Sequence, residues 1–74
     1  MKDSALLKFG KRMREERNKL GISQEELAER AGVHRTYIGM LERGEKNITL
    51  KNIKKIAKAL KIKISNLLST VDYE

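Results

Sequence analysis

The chain has 74 residues, with 17 Lys or Arg against 10 Asp or Glu, for a formal charge of +7. Cysteine is absent and histidine occurs once, which excludes disulfides and a structural zinc site and leaves oligomerisation as the staple for so small a domain. The charge draws polyanions, nucleic acid above all and an anionic membrane surface less often, while 39% hydrophobic residues fit a folded basic domain and not a disordered tail.

No apolar run reaches the ~18 residues of a membrane span. The N-terminus has no apolar stretch of signal-peptide length. With cysteine absent as well, the chain reads as cytoplasmic. Helix formers dominate between the glycines, and five helices are expected. Helix one runs from Asp3 or Ser4, either of which can cap it, to Leu20, with Leu6, Phe9, Met13 and Leu20 near one face and Gly21 as the residue past its end. Helix two opens at Ser23, where Ser23-Gln24-Glu25-Glu26 reads as a capping box, and closes near Ala31 before Gly32. Helix three covers roughly His34 to Glu42, followed by Gly44. After the polar loop Glu45-Lys46-Asn47, Thr49 is the candidate cap of helix four, whose apolar stripe is Leu50, Ile53, Ile56, Ala57 and Leu60. Lys61-Ile62-Lys63-Ile64 is the one short strand-like alternation. Ser65 is the candidate cap of a short fifth helix over about 65–71.

The aliphatic stripes assign Phe9, Met13, Leu20, Leu27, Ala28, Val33, Ile38, Leu41, Ile53, Ile56, Ala57 and Leu60 to the core. Ile62, Ile64, Leu67, Leu68 and Val71 are more apolar surface than a terminal helix hides. Either they fold back onto helix one or they meet the same residues of a second subunit; we assign them to a dimer interface.

The informative stretch is Gln24 to Gly44, Q-E-E-L-A-E-R-A-G-V-H-R-T-Y-I-G-M-L-E-R-G. Two short helices flank Ala31-Gly32-Val33, and a short turn containing glycine sets two helices roughly 90–120° apart. Small Ala28 permits close approach, Gly32 supplies a positive φ, and Val33 and Ile38 pin helix three against helix two. Helix three then presents its N-terminal residues outward. This arrangement resembles the lambda-repressor-like, Cro/C1-type helix-turn-helix domains of the XRE family. The shared pattern is S-Q-E-E-L-A-x-x-A-G-V, a recognition helix ending L-E-R-G, a loop and an aliphatic helix, covering about residues 6–68. H-R-T-Y-I from His34 and E-R-G-x-x-N-x-(S/T)-L from Glu42 are similar to controller proteins of restriction–modification systems. Gly39 departs from the serine of those controllers.

The resemblance implies an all-α, compact five-helix domain with a helix-turn-helix core over about 23–44, acting as a homodimeric transcriptional regulator on a pseudo-palindromic operator in double-stranded DNA. The Arg35 fork can bind O6 and N7 of guanine, a contact worth about 1–3 kcal/mol of discrimination; the competing reading is a solvated arginine. Thr36 can hydrogen-bond a base edge and set its methyl against thymine. Tyr37 is either a half-buried ring or a groove contact, and Met40, one turn after Thr36, lies along the groove or in the core. We assign all four to base contact. Gln24 at the start of helix two, His34, Arg43, Lys46 and Asn47 are assigned to the DNA backbone. The resemblance also implies an internal ion pair, Arg17 with Glu42, so that Glu42→Ala loses DNA binding through misfolding. Lys51, Lys54, Lys55, Lys58, Lys61 and Lys63 read as a solvated face that raises the general positive field. Exposed Glu25 and Glu29 are candidates for touching RNA polymerase.

No nucleophile–base pair, paired carboxylates or phosphate-cradling glycine loop is present, which argues against an enzyme. No metal, cofactor, small-molecule ligand or membrane association is called for. The alternatives are an antitoxin-type or phage-type repressor and, from a different class, a protein-interaction module that inhibits a toxin or another regulator.

Overall fold

The computed structural model describes residues 3–71, which form five α-helices and a terminal 3-10 turn. These are α1 (Ser4–Lys19), α2 (Gln24–Ala31), α3 (Arg35–Glu42), α4 (Leu50–Leu60) and α5 (Ile64–Leu67), with the turn at Ser69–Val71. No helix among the described residues is long and apolar enough to cross a membrane.

Each boundary has a local cause. The Asp3 carboxylate accepts the N–H groups of Ala5 and Leu6, Ser23 Oγ accepts that of Glu26, and Thr49 Oγ1 accepts that of Asn52. His34 Nδ1 accepts the Thr36 N–H at a long 3.4 Å. The Glu26 carboxylate of the capping box turns to Arg30, 2.7 Å away. Four helices end alike, on a left-handed residue at Gly21, Gly32, Gly44 or Lys61. The residue after each sends its N–H back to a carbonyl five positions earlier: Ile22 to Arg17, Val33 to Ala28, Glu45 to Met40 and Ile62 to Ala57. These bonds satisfy carbonyls that a helix end otherwise leaves unpaired.

Three connectors follow one plan, a left-handed residue, an aliphatic and a cap: Gly21-Ile22-Ser23, Gly32-Val33-His34 and Lys61-Ile62-Lys63. The aliphatic precedes the cap and stands five residues before a core residue of the next helix, the spacing of a hydrophobic staple. The pairs are Ile22 with Leu27, Val33 with Ile38 and Ile62 with Leu67, and Ile48 with Ile53 repeats the spacing at α4. All eight belong to, or pack against, the buried cluster.

That cluster joins Phe9 and Met13 of α1 to Leu27, Ala28 and Ala31 of α2, Ile38 and Leu41 of α3, and Ile56, Ala57, Ala59 and Leu60 of α4. Several expectations need correction. Leu20 is 38% exposed, because α1 stops at Lys19 and the chain has left the helical face; Ile22 is buried at the following turn. Leu50 is 72% exposed: spacing identifies the face of α4 but not how far its neighbours extend, and the stripe is covered only from Ile53 onward. Val33 and Ile53 are half-buried. Lys63, not Ser65, is the cap position of α5, and it makes no side-chain cap bond. α5 ends at Leu67, short of the expected 71.

The terminal segment packs back onto α1, with Thr70 Oγ1 donating to the Lys8 carbonyl. Leu67 is wholly buried in this chain's own core and is withdrawn from the dimer surface. Ile62, Ile64, Leu68 and Val71 are half-buried. One glycine sets the α1–α3 crossing. A Cβ on Gly10 would stand 2.6 Å from the carbonyl oxygen of Glu42 and closer still to that of Leu41, so α3 ends directly against α1.

Candidate nucleic-acid interface

The close approach at Gly10 brings Glu42, at the end of α3, to Arg17 on α1. Arg17 donates from Nε to Glu42 Oε2 at 2.7 Å and from Nη2 to Oε1 at 3.0 Å, and its Nη1 reaches the Ile22 carbonyl at 2.9 Å. Gln24 Nε2 donates to the same carboxylate at 3.0 Å, and Arg14 stands 3.7 Å from it. The Glu42 side chain is fully buried and that of Arg17 is 13% exposed. The hydrogen bond to Glu42 raises the Arg17 pKa; burial opposes this, and Coulombic attraction to Glu42 adds to it. One carboxylate thus fixes α1, the start of α2 and the end of α3 relative to one another.

Above this tie lies an open cleft of about 550 Å³ between the first turn of α2 and the outer face of α3. Ser23, Gln24 and Glu25 form one wall, and Arg35, Thr36, Gly39 and Arg43 the other. Arg35, Gly39 and Arg43 recur every four residues, so they form one stripe along α3. Glycine in the middle keeps the stripe flat: a Cβ there would lie 3.2 Å from Arg43 Nη1 and 3.5 Å from Gln24 Oε1. Arg43 Nε donates to Glu45 at 3.0 Å. The start of α2 contributes the positive end of its helix dipole. One of Gln24's two amide hydrogens serves Glu42, which orients the side chain toward the cleft wall.

The remaining candidates fall outside this cleft. Lys46 and Asn47 are exposed in the loop between α3 and α4. His34 is exposed at the start of α3, where its ring serves as the cap. Tyr37 is half-buried against the core, and its hydroxyl accepts the Asn52 amide of α4 at 3.0 Å. Met40 is also half-buried. The cleft therefore gathers Gln24, Arg35, Thr36 and Arg43, while His34 before α3, Tyr37 and Met40 on it, and Lys46 and Asn47 after it do not line the cleft.

A helix-turn-helix family model matches residues 13–67, which include α2, α3 and the cleft. The chain belongs to this helix-turn-helix family. It is 45% identical over 69 residues to the control protein C.BamHI of Bacillus amyloliquefaciens, covering 92% of this chain and 85% of that one. It is 49% identical over 57 residues to the control protein C.SmaI of Serratia marcescens, covering 77% and 68%. The crystal structure of the restriction-modification controller protein C.AhdI from Aeromonas hydrophila superposes with a TM-score of 0.86 at 48% identity, covering 88% of this chain and 98% of that one. The protein is accordingly a helix-turn-helix transcriptional regulator of the kind that binds DNA.

Three contributors to the site were not singled out by the sequence. Arg14 carries no distinguishing spacing from Glu42. Asn52 is joined to Tyr37 only by the packing of α4 beneath α3. Ile22, whose carbonyl holds Arg17, carries a signal that would have found it, its five-residue spacing to Leu27.

Proposed function

We propose that this protein seats α3 in the major groove of double-stranded DNA and regulates transcription as the controller of a restriction–modification system. The observation that carries the reading is the cleft in which Arg35 and Thr36 stand opposite Gln24 at the start of α2. Arg35 and Thr36 read base edges, and Tyr37 and Met40 contact bases from the adjoining face of α3. Gln24, His34, Arg43, Lys46 and Asn47 hold phosphates on either side, contacts that fix register without carrying sequence information directly. Arg17 and Glu42 work beneath the surface, fixing α2 and α3 in their relative pose.

The protein acts as a homodimer joined through Ile62, Ile64, Leu68 and Val71, on an operator with approximate two-fold symmetry. The two recognition helices then lie about 34 Å apart, one helical turn of DNA. Glu25 and Glu29, exposed on α2, face RNA polymerase; charge-reversed variants that bind and activate normally would remove that role. The similarity to the named controllers over nearly the whole chain supports this reading above a toxin-directed interaction module. The reading includes no catalysis and no cofactor.

The test is selection of bound sites from random double-stranded DNA, repeated with Arg35→Ala. Enrichment of an inverted repeat, with one base position per half-site relaxed in the variant, supports the reading. Absence of any enriched sequence at moderate salt would leave only nonspecific attraction and reject it.

A further inference from the structure

The far end of α2 carries a second concave surface. Arg30 and Ala31 of α2 face Lys55, Lys58 and Ala59 of α4 and Lys61 just beyond it, around a groove of about 400 Å³. It shares no lining residue with the reading cleft, and the two lie at opposite ends of a helix eight residues long. Four cations and no carboxylate line it. Arg30 is paired with Glu26 at 2.7 Å, but both side chains are well exposed, and such a pair is readily exchanged for another anion.

Positive charge near the C-terminal ends of α2 and α4 complements their dipoles, which accounts for Arg30 and Lys58. It also accounts for the charge of Lys61, the C-terminal cap of α4, but not for a side chain on that backbone. Lys61 has φ 61°, whereas each of the other three left-handed positions among the described residues is glycine. A side chain is disfavoured in that conformation, and a non-glycine residue held there points to a use for the side chain. The same connector has a lysine at its cap position with no cap bond, where its two counterparts have Ser23 and His34. Lysine thus stands where the other connectors have glycine, and its side chain lines the basic groove.

We propose that this groove is a second polyanion site, which holds the phosphate backbone of a second DNA segment while α3 holds the first. Apart from the lysine and arginine stems the apolar lining is two alanines, so no aromatic or branched aliphatic side chain is there to anchor a protein partner. Phosphate backbone requires only spaced cations. The site rests on α3 occupying the first duplex, and it makes the regulator a bridge between two duplexes or two parts of one.

The test couples an operator duplex, obtained by the selection above, to beads, loads the full chain, and adds a labelled random-sequence duplex at about 50 mM salt. Protein retained on the operator and second duplex captured are read separately. The groove variant Lys55→Gln/Lys58→Gln/Lys61→Gln is expected to stay on the operator like wild type and to capture about tenfold less second duplex. A charge-matched variant on α1, Lys8→Gln/Lys11→Gln/Lys19→Gln, is expected to capture normally. The proposal is overturned if wild type captures no second duplex, if the groove variant captures as much as wild type, or if the charge-matched variant loses as much. It is also overturned if polyglutamate displaces the second duplex as well as free DNA does, which assigns the groove to an acidic protein. Failure of wild type to stay on the operator would strike at the α3 reading itself and is seen in the other channel.

Discussion

Glu42 accepts from Arg17 and Gln24, and the two members of the Arg17–Glu42 pair are not equally replaceable. If Arg17 is removed, a fully buried carboxylate keeps only Gln24 and an arginine at 3.7 Å. If Glu42 is neutralised, the part-exposed guanidinium can turn toward water. Arg17→Leu is therefore expected to cost about 3–5 kcal/mol, the range for stranding one member of a buried pair. Glu42→Gln should cost less, about 1–3 kcal/mol, since the amide still accepts one hydrogen bond. Urea denaturation of both variants measures the difference, and equal losses would mean that Arg17 is as confined as Glu42. Glu42→Ala combines loss of the pair with a void beside Gln24, and its loss of DNA binding should accompany a lower melting temperature. A variant that melts like wild type and no longer binds would move Glu42 into the interface. The pair itself was legible only by resemblance, since nothing in the spacing of positions 17 and 42 links them. The placement of Arg35 and Thr36 in the first turn of α3 was legible from the sequence. Tyr37 was assigned to base contact, and its bond to Asn52 was not legible because that partner lies fifteen residues away on another helix.

Helices were read from the sequence almost to the residue where a polar cap or a glycine marks the boundary, as at Asp3, Ser23, Gly32 and Thr49. The exception is the last connector, where lysines occupy both marking positions. There Lys61-Ile62-Lys63-Ile64 imitates a strand, and the Ser65 cap was misplaced by two residues. An aliphatic spacing that the sequence reading did not use is the better guide: Ile62 five residues before Leu67 repeats Ile22 before Leu27, consistent with the burial of Leu67 that the sequence had assigned to a dimer surface. Lys61→Gly should accordingly stabilise the domain by about 1 kcal/mol by relieving the left-handed side chain. For a domain of this size the melting temperature rises by about 4–8 °C. An unchanged or lower melting temperature would show that Lys61 makes a compensating contact. Gly10 poses the opposite case. Alanine is the better helix former by roughly 1 kcal/mol, yet its methyl would collide with the backbone at the end of α3. Backbone cannot rotate aside as a side chain can. Gly10→Ala is expected to lose about 1–3 kcal/mol net, typical of overpacking, and to weaken DNA binding by shifting α3. A stabilised Gly10→Ala variant would mean that α1 and α3 separate freely. The sequence marked neither requirement, since Gly10 sits in a helical pattern and its neighbour lies some thirty residues on.

A single core of about a dozen side chains, without a disulfide, gives a domain of this size only marginal stability. Its apolar surface is not fully covered by its own fold. Ile62, Ile64, Leu68 and Val71 stay half-buried at one end, whereas Leu67 beside them is wholly enclosed. In the terminal segment Leu67 seals the protomer, while the other four residues assigned to a dimer interface stay half-buried at its surface. If a second copy covers them, folding and association are linked, and stability rises with protein concentration. A hundredfold increase contributes about 2.7 kcal/mol per dimer, shared between two chains, which for a domain of this size moves the melting temperature by about 5–10 °C. Thermal melts across that range measure it without any mutation that would disturb the core behind the interface. A constant melting temperature would mean that the protomer is stable alone, and two-fold symmetry on the operator would then have to arise from two monomers meeting on DNA. Ile64→Lys separates the remaining possibilities, because Ile64 packs against the core edge and is not enclosed by it. In a dimer joined here the substitution abolishes the concentration dependence and weakens full-operator binding far more than half-site binding. In a dimer joined elsewhere it lowers the melting temperature slightly at every concentration and leaves both affinities in the same ratio.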